Sequence, residues 1–454
     1  MSANLRCLPA VDHVLRQPEL AALHACHAHA QLVTWTRQAL ERARAKLLDE
    51  AARDAAHAAT AEAANSEAAN SEAACWLRQI VDEVVLAATM DRASKLRTTI
   101  NATGVLLHTN LGRSPLAVAA RERMAQVAGY ANVELDLAEG RRSQRGARVC
   151  RLFAELSGAE AALVVNNCAA ATWLALAVLG RATFAESGEP RGGEVIISRG
   201  QLVEIGGGFR LPEVFESAQV ALREVGTTNR TYLRDYQSAF GERTGAVLRV
   251  HRSNFRLEGF VTEPSCAELA AWTRSVGVPL IDDIGSGCAV DLSGLGLDEP
   301  TIQQSVLSGA DLTLFSGDKL LGGPQCGIVV GRRELVERLG RHPIMRAVRV
   351  DKVTLGALEA TAEIYLAGRA WDEIPVLKML AKPPEQVRED CRRLLAMLSE
   401  SGGRAGAVWA TSVAACESPV GGGSAPGHSL PSFGIRIAGE RIDELAGALR
   451  IGQP

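Results

Sequence analysis

FSGDKLLGGPQCGIVVG, residues 315–331, joins two apolar runs, DLTLF (311–315) and CGIVVG (326–331), through a polar, glycine-rich turn. Short runs of apolar and β-branched residues bounded by glycine read as strands. The turn sets one lysine, Lys319, at a strand tip, with Ser316 before it and GGPQ after it. Apolar walls desolvate an amine in such a place, which disfavours the ammonium form, lowers the pKa and makes the amine a nucleophile able to form a Schiff base. The plainer reading is a lysine that caps a sheet edge or pairs with its neighbour Asp318.

Outward from this stretch, strands and helices alternate between about residues 150 and 340. AALVV (161–165), EVIIS (194–198), VALREV (220–225), AVLRV (246–250) and VPLID (278–282) are short apolar runs separated by helical spacers such as QLVEIGGGFRLPEVFESAQ (201–219). That rhythm predicts βα units and an α/β fold with a mostly parallel central sheet. Pro264 suits the first turn of a helix. Residues 1–95 are alanine-rich and helical in character, and they include a five-residue repeat, EAANSEAANSEAA (62–74), expected in a helix or its connecting loop. Beyond residue 360 the pattern predicts a small α+β segment with a glycine-rich loop, SPVGGGSAPGHSLPS (418–432). The expected domains are therefore 1–95, 96–360 and 361–454.

At 454 residues, 47% of them hydrophobic and 22% charged, the chain can bury a large core. No apolar run approaches the roughly 18 residues of a membrane helix, and the start lacks the apolar segment of a secretory signal, so a cytoplasmic protein is expected. A net charge of -3 gives no basic excess pointing to a nucleic-acid partner, although a local patch can bind phosphates on an acidic protein, and no DNA partner is expected. The ten cysteines form no CxxC pair, which argues against a disulfide framework or a zinc knuckle. HACHAHA holds His24, Cys26, His27 and His29, but helical spacing does not bring three of them to one face. A solvated, histidine-rich helix is expected there, and no metal.

In open α/β sheets, sites form at the carboxyl ends of the strands. Three polar groups stand there: Asn166-Asn167-Cys168-Ala169 after AALVV, Asp283 after VPLID, and Ser316 with Lys319 after DLTLF. A buried carboxylate needs a cationic partner, and the protonated ring nitrogen of pyridoxal phosphate is one. Asp282 competes for that role, but strand residues alternate faces, and Asp283 abuts the GSG turn. The segment Asn166–Ala169 opens a helix, whose free N–H groups suit a phosphate; simple N-capping by the asparagines is the alternative. Ser316 adds a hydroxyl. Together these residues fit pyridoxal 5'-phosphate. Arg346 and Arg349, at i and i+3 in HPIMRAVRVDK, and Arg113 in HTNLGRSP suit an oxyanion if they are not merely solvated or interface charges.

INATGVLLHTNLGRSPL, ALVVNNCAAATWLAL, SRGQLVEIGGGFRLPE, EVGTTNRTYLRDY, IDDIGSG, the 315–331 stretch and HPIMRAVRVDKVTLGALEAT run in the same order as in bacterial selenocysteine synthases (L-seryl-tRNA(Sec) selenium transferases), and the chain resembles that family over nearly its whole length. The resemblance implies a fold-type I aminotransferase-like large domain, an N-terminal helical domain that grips tRNA and a small C-terminal domain. It implies conversion of seryl-tRNA(Sec) to selenocysteinyl-tRNA(Sec) through an aminoacrylyl-tRNA, with selenophosphate as donor. Lys319 is then the cofactor-bearing lysine and general base, Asp283 the partner of the ring nitrogen, and Arg113, Arg346 and Arg349 the selenophosphate ligands. A homo-oligomeric ring of dimers is also implied. The sequence departs from the family at Cys168, where a third asparagine is usual, at the 62–74 repeat, and at LAGALRIGQP, where family members continue and the small domain is expected to be incomplete. A pyridoxal phosphate lyase or desulfurase acting on a free amino acid, and an inactive tRNA-binding scaffold, are the rival readings. The first has no use for the helical region, and the second none for Lys319 and Asp283.

Overall fold

The computed structural model describes residues 5–57, 66–181, 183–184, 190–191, 193–400 and 409–452. The chain divides into two compact units: residues up to Ile100 together with those from Asp443 on, and Asn101–Ile442. Among the described residues no helix is long and apolar enough to cross a membrane.

In the first unit the helices α1 (His29–His57) and α2 (Ser66–Ser94) follow from their apolar spacing. Ala39, Ala43 and Leu47 recur every four residues on α1, as do Trp76, Ile80 and Val84 on α2, and these two stripes share one core. Residues 66–74 of the repeat open α2, while 62–65 lie outside the described residues. HACHAHA is not a solvated helix. It forms a single 3-10 turn (Leu23–Ala25) and the entry to α1, and His27 is buried with Nε2 3.5 Å from Asp91. The helix Ile442–Ile451 also belongs to this unit, where Arg97 donates to the carbonyls of Arg450 and Ile451 at 3.0 Å each.

The second unit is built on a seven-stranded sheet: β1 (Ala161–Val165), β2 (Glu194–Ser198), β3 (Ala221–Val225), β4 (Thr244–Val250), β5 (Leu280–Gly285), β6 (Leu312–Ser316) and β7 (Gly327–Gly331), in the spatial order β1-β7-β6-β5-β4-β2-β3. Strands β6, β5, β4, β2 and β3 pair in parallel, and β7 runs antiparallel to both its neighbours. The reversal follows from chain length, because the turn from Gly317 to Cys326 is too short for the crossover that a parallel partner needs. Each strand feeds both faces. Ala162, Val164, Ile328 and Val330 pack into one core, and Leu163, Val165, Leu312, Leu314 and Val329 into the other. At Gly327 an added Cβ would lie 2.2 Å from the Asn167 carbonyl oxygen, so only glycine lets β7 approach the start of the next helix.

Helix α3 (Cys168–Ala175) leaves β1 capped by Asn167, whose side chain accepts from the Ala170 N–H at 2.8 Å. Helix α4 (Cys266–Val276) starts two residues beyond Pro264, which lies outside its first turn. Ser265 is its N-cap, in a capping box with Glu268, and this reciprocal pair of hydrogen bonds outweighs the proline signal. The spacer after β2 forms only a short helix, Leu211–Ser217, because Gly206–Gly208 interrupt it. The glycine-rich segment near 420 is not a loop but a hairpin of β8 (Trp409–Gly421) and β9 (Ser424–Gly439), turned by Gly421, Gly422 and Gly423, all at positive φ. Its prolines are tolerated because a two-stranded ribbon consists of edges.

Candidate active site

A cavity of about 380 Å³ opens at the carboxyl ends of β1, β4, β5 and β6. It brings together Arg113, Asn167, Cys168, Ala169, Asp283, Ser316 and Lys319 from the sequence reading. A larger cavity of about 770 Å³ lies at the opposite ends of the strands, around Thr244 and Asp311, where the arginines are partly neutralised, as in the pair Arg332–Asp311 at 3.0 Å.

Lys319 is only 6% exposed. Burial pulls its amine below the usual lysine range and the Arg113 charge adds to that, while Asp283 and Asp318 oppose it. Across the cavity Asp283 accepts from Thr172 Oγ1 at 2.9 Å and from the Gly285 N–H at 3.1 Å. Burial pushes this carboxyl above its ordinary value, against the Thr172 hydroxyl and the Lys319 charge. Asp283 also lines the cavity, as a partner for a cationic ring nitrogen must. Asp282 points the other way, 1% exposed, with Arg249 Nη1 at 2.8 Å and Ser305 Oγ at 2.6 Å. The period-2 alternation of β5 separates the two acids.

The first turn of α3, through Cys168 and Ala169, supplies main-chain N–H groups that have no carbonyl within the helix. The Cys168 side chain lies 3.7 Å from Asp283, and burial together with that carboxylate pushes its thiol well above the usual range. Asn167 spends its side chain on the cap. Asn166 is exposed, does not line the cavity, and donates its N–H to the Val348 carbonyl at 2.8 Å. Val203, Ile205, Phe209 and Leu211 form an apolar wall. A buried amine, an acid facing it and a helix start match the aldehyde, ring nitrogen and phosphate of pyridoxal phosphate, so the donor set fits that group.

The arginines divide. Arg113, in a left-handed backbone (φ 61), reaches the cavity and pairs with Asp318 at 2.8 Å. Arg346 and Arg349 line a separate cavity of about 270 Å³ with Glu134 and Arg145. They do not share a helical face. The helix Met345–Val348 ends before Arg349, which is extended because Asp351 must cap the following helix, α5 (Lys352–Leu366), through the Val353 and Thr354 N–H groups.

Sequence reasoning passed over Thr172, His251 and Ser253, and offered Asp318 only as a partner of Lys319, where the structure pairs it with Arg113. Thr172 lies one helical turn beyond Cys168, and His251 directly follows β4, so both carried a readable signal. The Arg113–Asp318 pair spans 205 residues, and nothing local announces it.

The family described as L-seryl-tRNA selenium transferase matches residues 99–453, and the selenocysteine synthase N-terminal family matches 5–44. The chain is 43% identical to the L-seryl-tRNA(Sec) selenium transferase of Geobacter sulfurreducens, over 98% of this chain and 90% of that protein. It is 45% identical to that of Moorella thermoacetica, over 96% and 86%. Among solved structures, D-glucosaminate-6-phosphate ammonia-lyase shares the fold, with a TM-score of 0.53 and 19% identity over 79% of this chain and 85% of that one. With the catalytic unit matched from end to end and the helical start matched separately, the chain belongs to the L-seryl-tRNA selenium transferase family.

Proposed function

We propose that the protein converts L-seryl-tRNA(Sec) to L-selenocysteinyl-tRNA(Sec) with selenophosphate as selenium donor, on pyridoxal 5'-phosphate held at Lys319. The observation that carries this reading is the Lys319 amine facing the Asp283 carboxylate across one cavity, in a chain 43% identical to such a transferase over 98% of its length. When bound, pyridoxal phosphate supplies an aldehyde for the substrate amine and a ring that acidifies the α-carbon proton.

The residues of this chain do the rest. Lys319, with its pKa lowered by burial, holds the aldehyde and, once released, accepts the α-proton as general base. Asp283, fixed by Thr172 and the Gly285 N–H, keeps the ring nitrogen protonated. The start of α3 and Ser316 seat the phosphate. The serine β-hydroxyl leaves as water, the selenium of selenophosphate bonds to the β-carbon, and water then cleaves the Se–P bond to release phosphate. Arg113 stands at the cavity to receive the donor anion. Arg346 and Arg349 line a separate cavity, and a part for them in holding that anion rests on the family resemblance alone. The helical unit takes the tRNA, in a cytoplasmic homo-oligomeric ring of dimers.

The test is the visible spectrum of the purified protein with added pyridoxal phosphate, before and after borohydride, beside Lys319→Ala. A yellow protein in which reduction fixes the label on Lys319, together with turnover of seryl-tRNA(Sec) but not of free serine, is expected. A protein that takes up no pyridoxal phosphate overturns the reading. Turnover of the free amino acid alone replaces it with a lyase.

A further inference from the structure

A distant part of the chain comes close to the Lys319 amine. At the turn between β8 and β9, a Cβ added to Gly423 would lie 3.5 Å from Lys319 Nζ and 3.5 Å from Ser253 Oγ. The turn approaches the pocket against the segment 105–107. The Leu106 and Leu107 N–H groups donate to the Pro419 and Val420 carbonyls at 3.1 and 2.8 Å, and a Cβ added to Gly422 would meet the Leu107 carbonyl oxygen at 2.8 Å.

What holds the turn down is a buried acid. The Glu299 side chain is fully buried, and its Oε1 accepts from the main-chain N–H of Ala425, two residues beyond Gly423. Ala425 is itself buried and in a left-handed conformation (φ 46), which a non-glycine residue adopts only under local constraint. The same Oε1 lies 3.6 Å from Nε2 of His251, which lines the pocket and whose N–H donates to the Asp283 carbonyl at 2.8 Å. Glu299 has three polar neighbours, the Ala425 N–H, the Ser286 hydroxyl and the His251 imidazole, which together offset the cost of burying it. Glu299 therefore touches the hairpin with one contact and a pocket residue with another.

We propose that Glu299 is a positioning residue that clamps the tip of the C-terminal hairpin, through Ala425, to His251, so that the Gly421–Ala425 turn forms a fixed wall over the Lys319 amine. The clamp takes no part in bond making. It holds Gly423 where a larger side chain would collide with the amine, and it fixes His251 beside Asp283. Its significance for catalysis rests on the transferase reading, but the clamp itself does not.

Hydrogen exchange of the full chain without added cofactor, followed at the peptide containing Ala425, separates the two. In Glu299→Gln an amide still faces Ala425 but the charge is gone, and exchange there is expected to speed up roughly tenfold or more, as for loss of a charge-assisted hydrogen bond. Glu299→Asp, which restores the charge on a shorter arm, is expected to recover part of the protection. With pyridoxal phosphate and seryl-tRNA(Sec), Glu299→Gln is expected to lower kcat while leaving KM nearly unchanged. Gly423→Asn, a residue that tolerates the left-handed backbone of this turn, is expected to lower borohydride labelling of Lys319 without accelerating exchange elsewhere. Unchanged exchange at Ala425 in Glu299→Gln overturns the clamp. Faster exchange with normal kcat and normal labelling in both variants overturns its role as a wall. Wild-type protein that neither binds the cofactor nor turns over tRNA refutes the transferase reading and leaves the exchange result standing.

Discussion

Removing Arg113 should cost more stability than removing its partner Asp318, although each change breaks the same ion pair. The pair is 2.8 Å long, but the two side chains differ in burial: Asp318 is 8% exposed and Arg113 28%. Arg113→Met leaves a carboxylate in a place water barely reaches, and stranding a buried charge costs about 3–5 kcal/mol. We take about 3 kcal/mol, since the arginine side of the pair is partly solvated. Asp318→Asn leaves a guanidinium that already touches water, together with an amide that still accepts from it, and the loss should be about 1 kcal/mol. For a unit running from Asn101 to Ile442, unfolding entropy is about 0.7 kcal/mol/K, so the expected drops in Tm are about 4 °C and about 1–2 °C. The double variant should recover much of the first loss, because the stranded charge is gone. Arg113→Met also removes a positive charge that helps hold the Lys319 pKa down, so the lysine should retain its proton to higher pH than in the wild type. The assay is calorimetric or fluorescence-monitored melting of the two single variants and the double variant. If Asp318→Asn melts below Arg113→Met, the burial argument is wrong.

Two further outcomes follow from the pocket. Asp283→Asn should abolish turnover yet raise the Tm of the cofactor-free protein near pH 7. Burial holds the folded-state pKa of Asp283 above its ordinary 3.8, so its contribution to stability is full below 3.8 and is lost as pH rises through the folded value; the advantage of the variant should therefore shrink on acidification. Cys168 lines the pocket, but its thiol is held protonated by burial and by Asp283, so iodoacetamide at pH 8 should modify it far more slowly than the exposed Cys26 and Cys75, as peptide mapping would show. Rapid loss of the Cys168 thiol would mean that the pocket is more open to water than its geometry implies.

What the sequence made legible was local. The apolar runs on either side of Lys319 are short, β-branched and fenced by glycine, and these signals agree with the sheet that forms. The choice of Asp283 over Asp282 needed the two-residue period of a strand together with the adjoining GSG turn. The arginines show where such reasoning fails. The i, i+3 spacing of Arg346 and Arg349 is useful only if one helix carries both. Asp351 carried the opposing signal, because an aspartate that caps the next helix requires extended chain just before it. Proline and glycine near residue 420 likewise suggested a loop, since neither favours a strand interior, yet in a two-stranded ribbon most backbone groups face outward and the penalty is small.

The hairpin could not have been placed by any local rule, and it bears most directly on the chemistry. Its tip reaches Lys319 from about a hundred residues further along the chain, and Glu299 meets Ala425 across 126. Gly327 pairs with Val165 across 162 residues, so the sheet closes loops as long as those of the hairpin, and sequence spacing alone sets no order between them. The sheet brings Asp283, Cys168 and Lys319 together, and the hairpin tip lies against the amine. The three glycines of the turn allow that close approach. The catalytic groups thus lie in short segments that can be read one at a time, while what covers them is set by the fold as a whole.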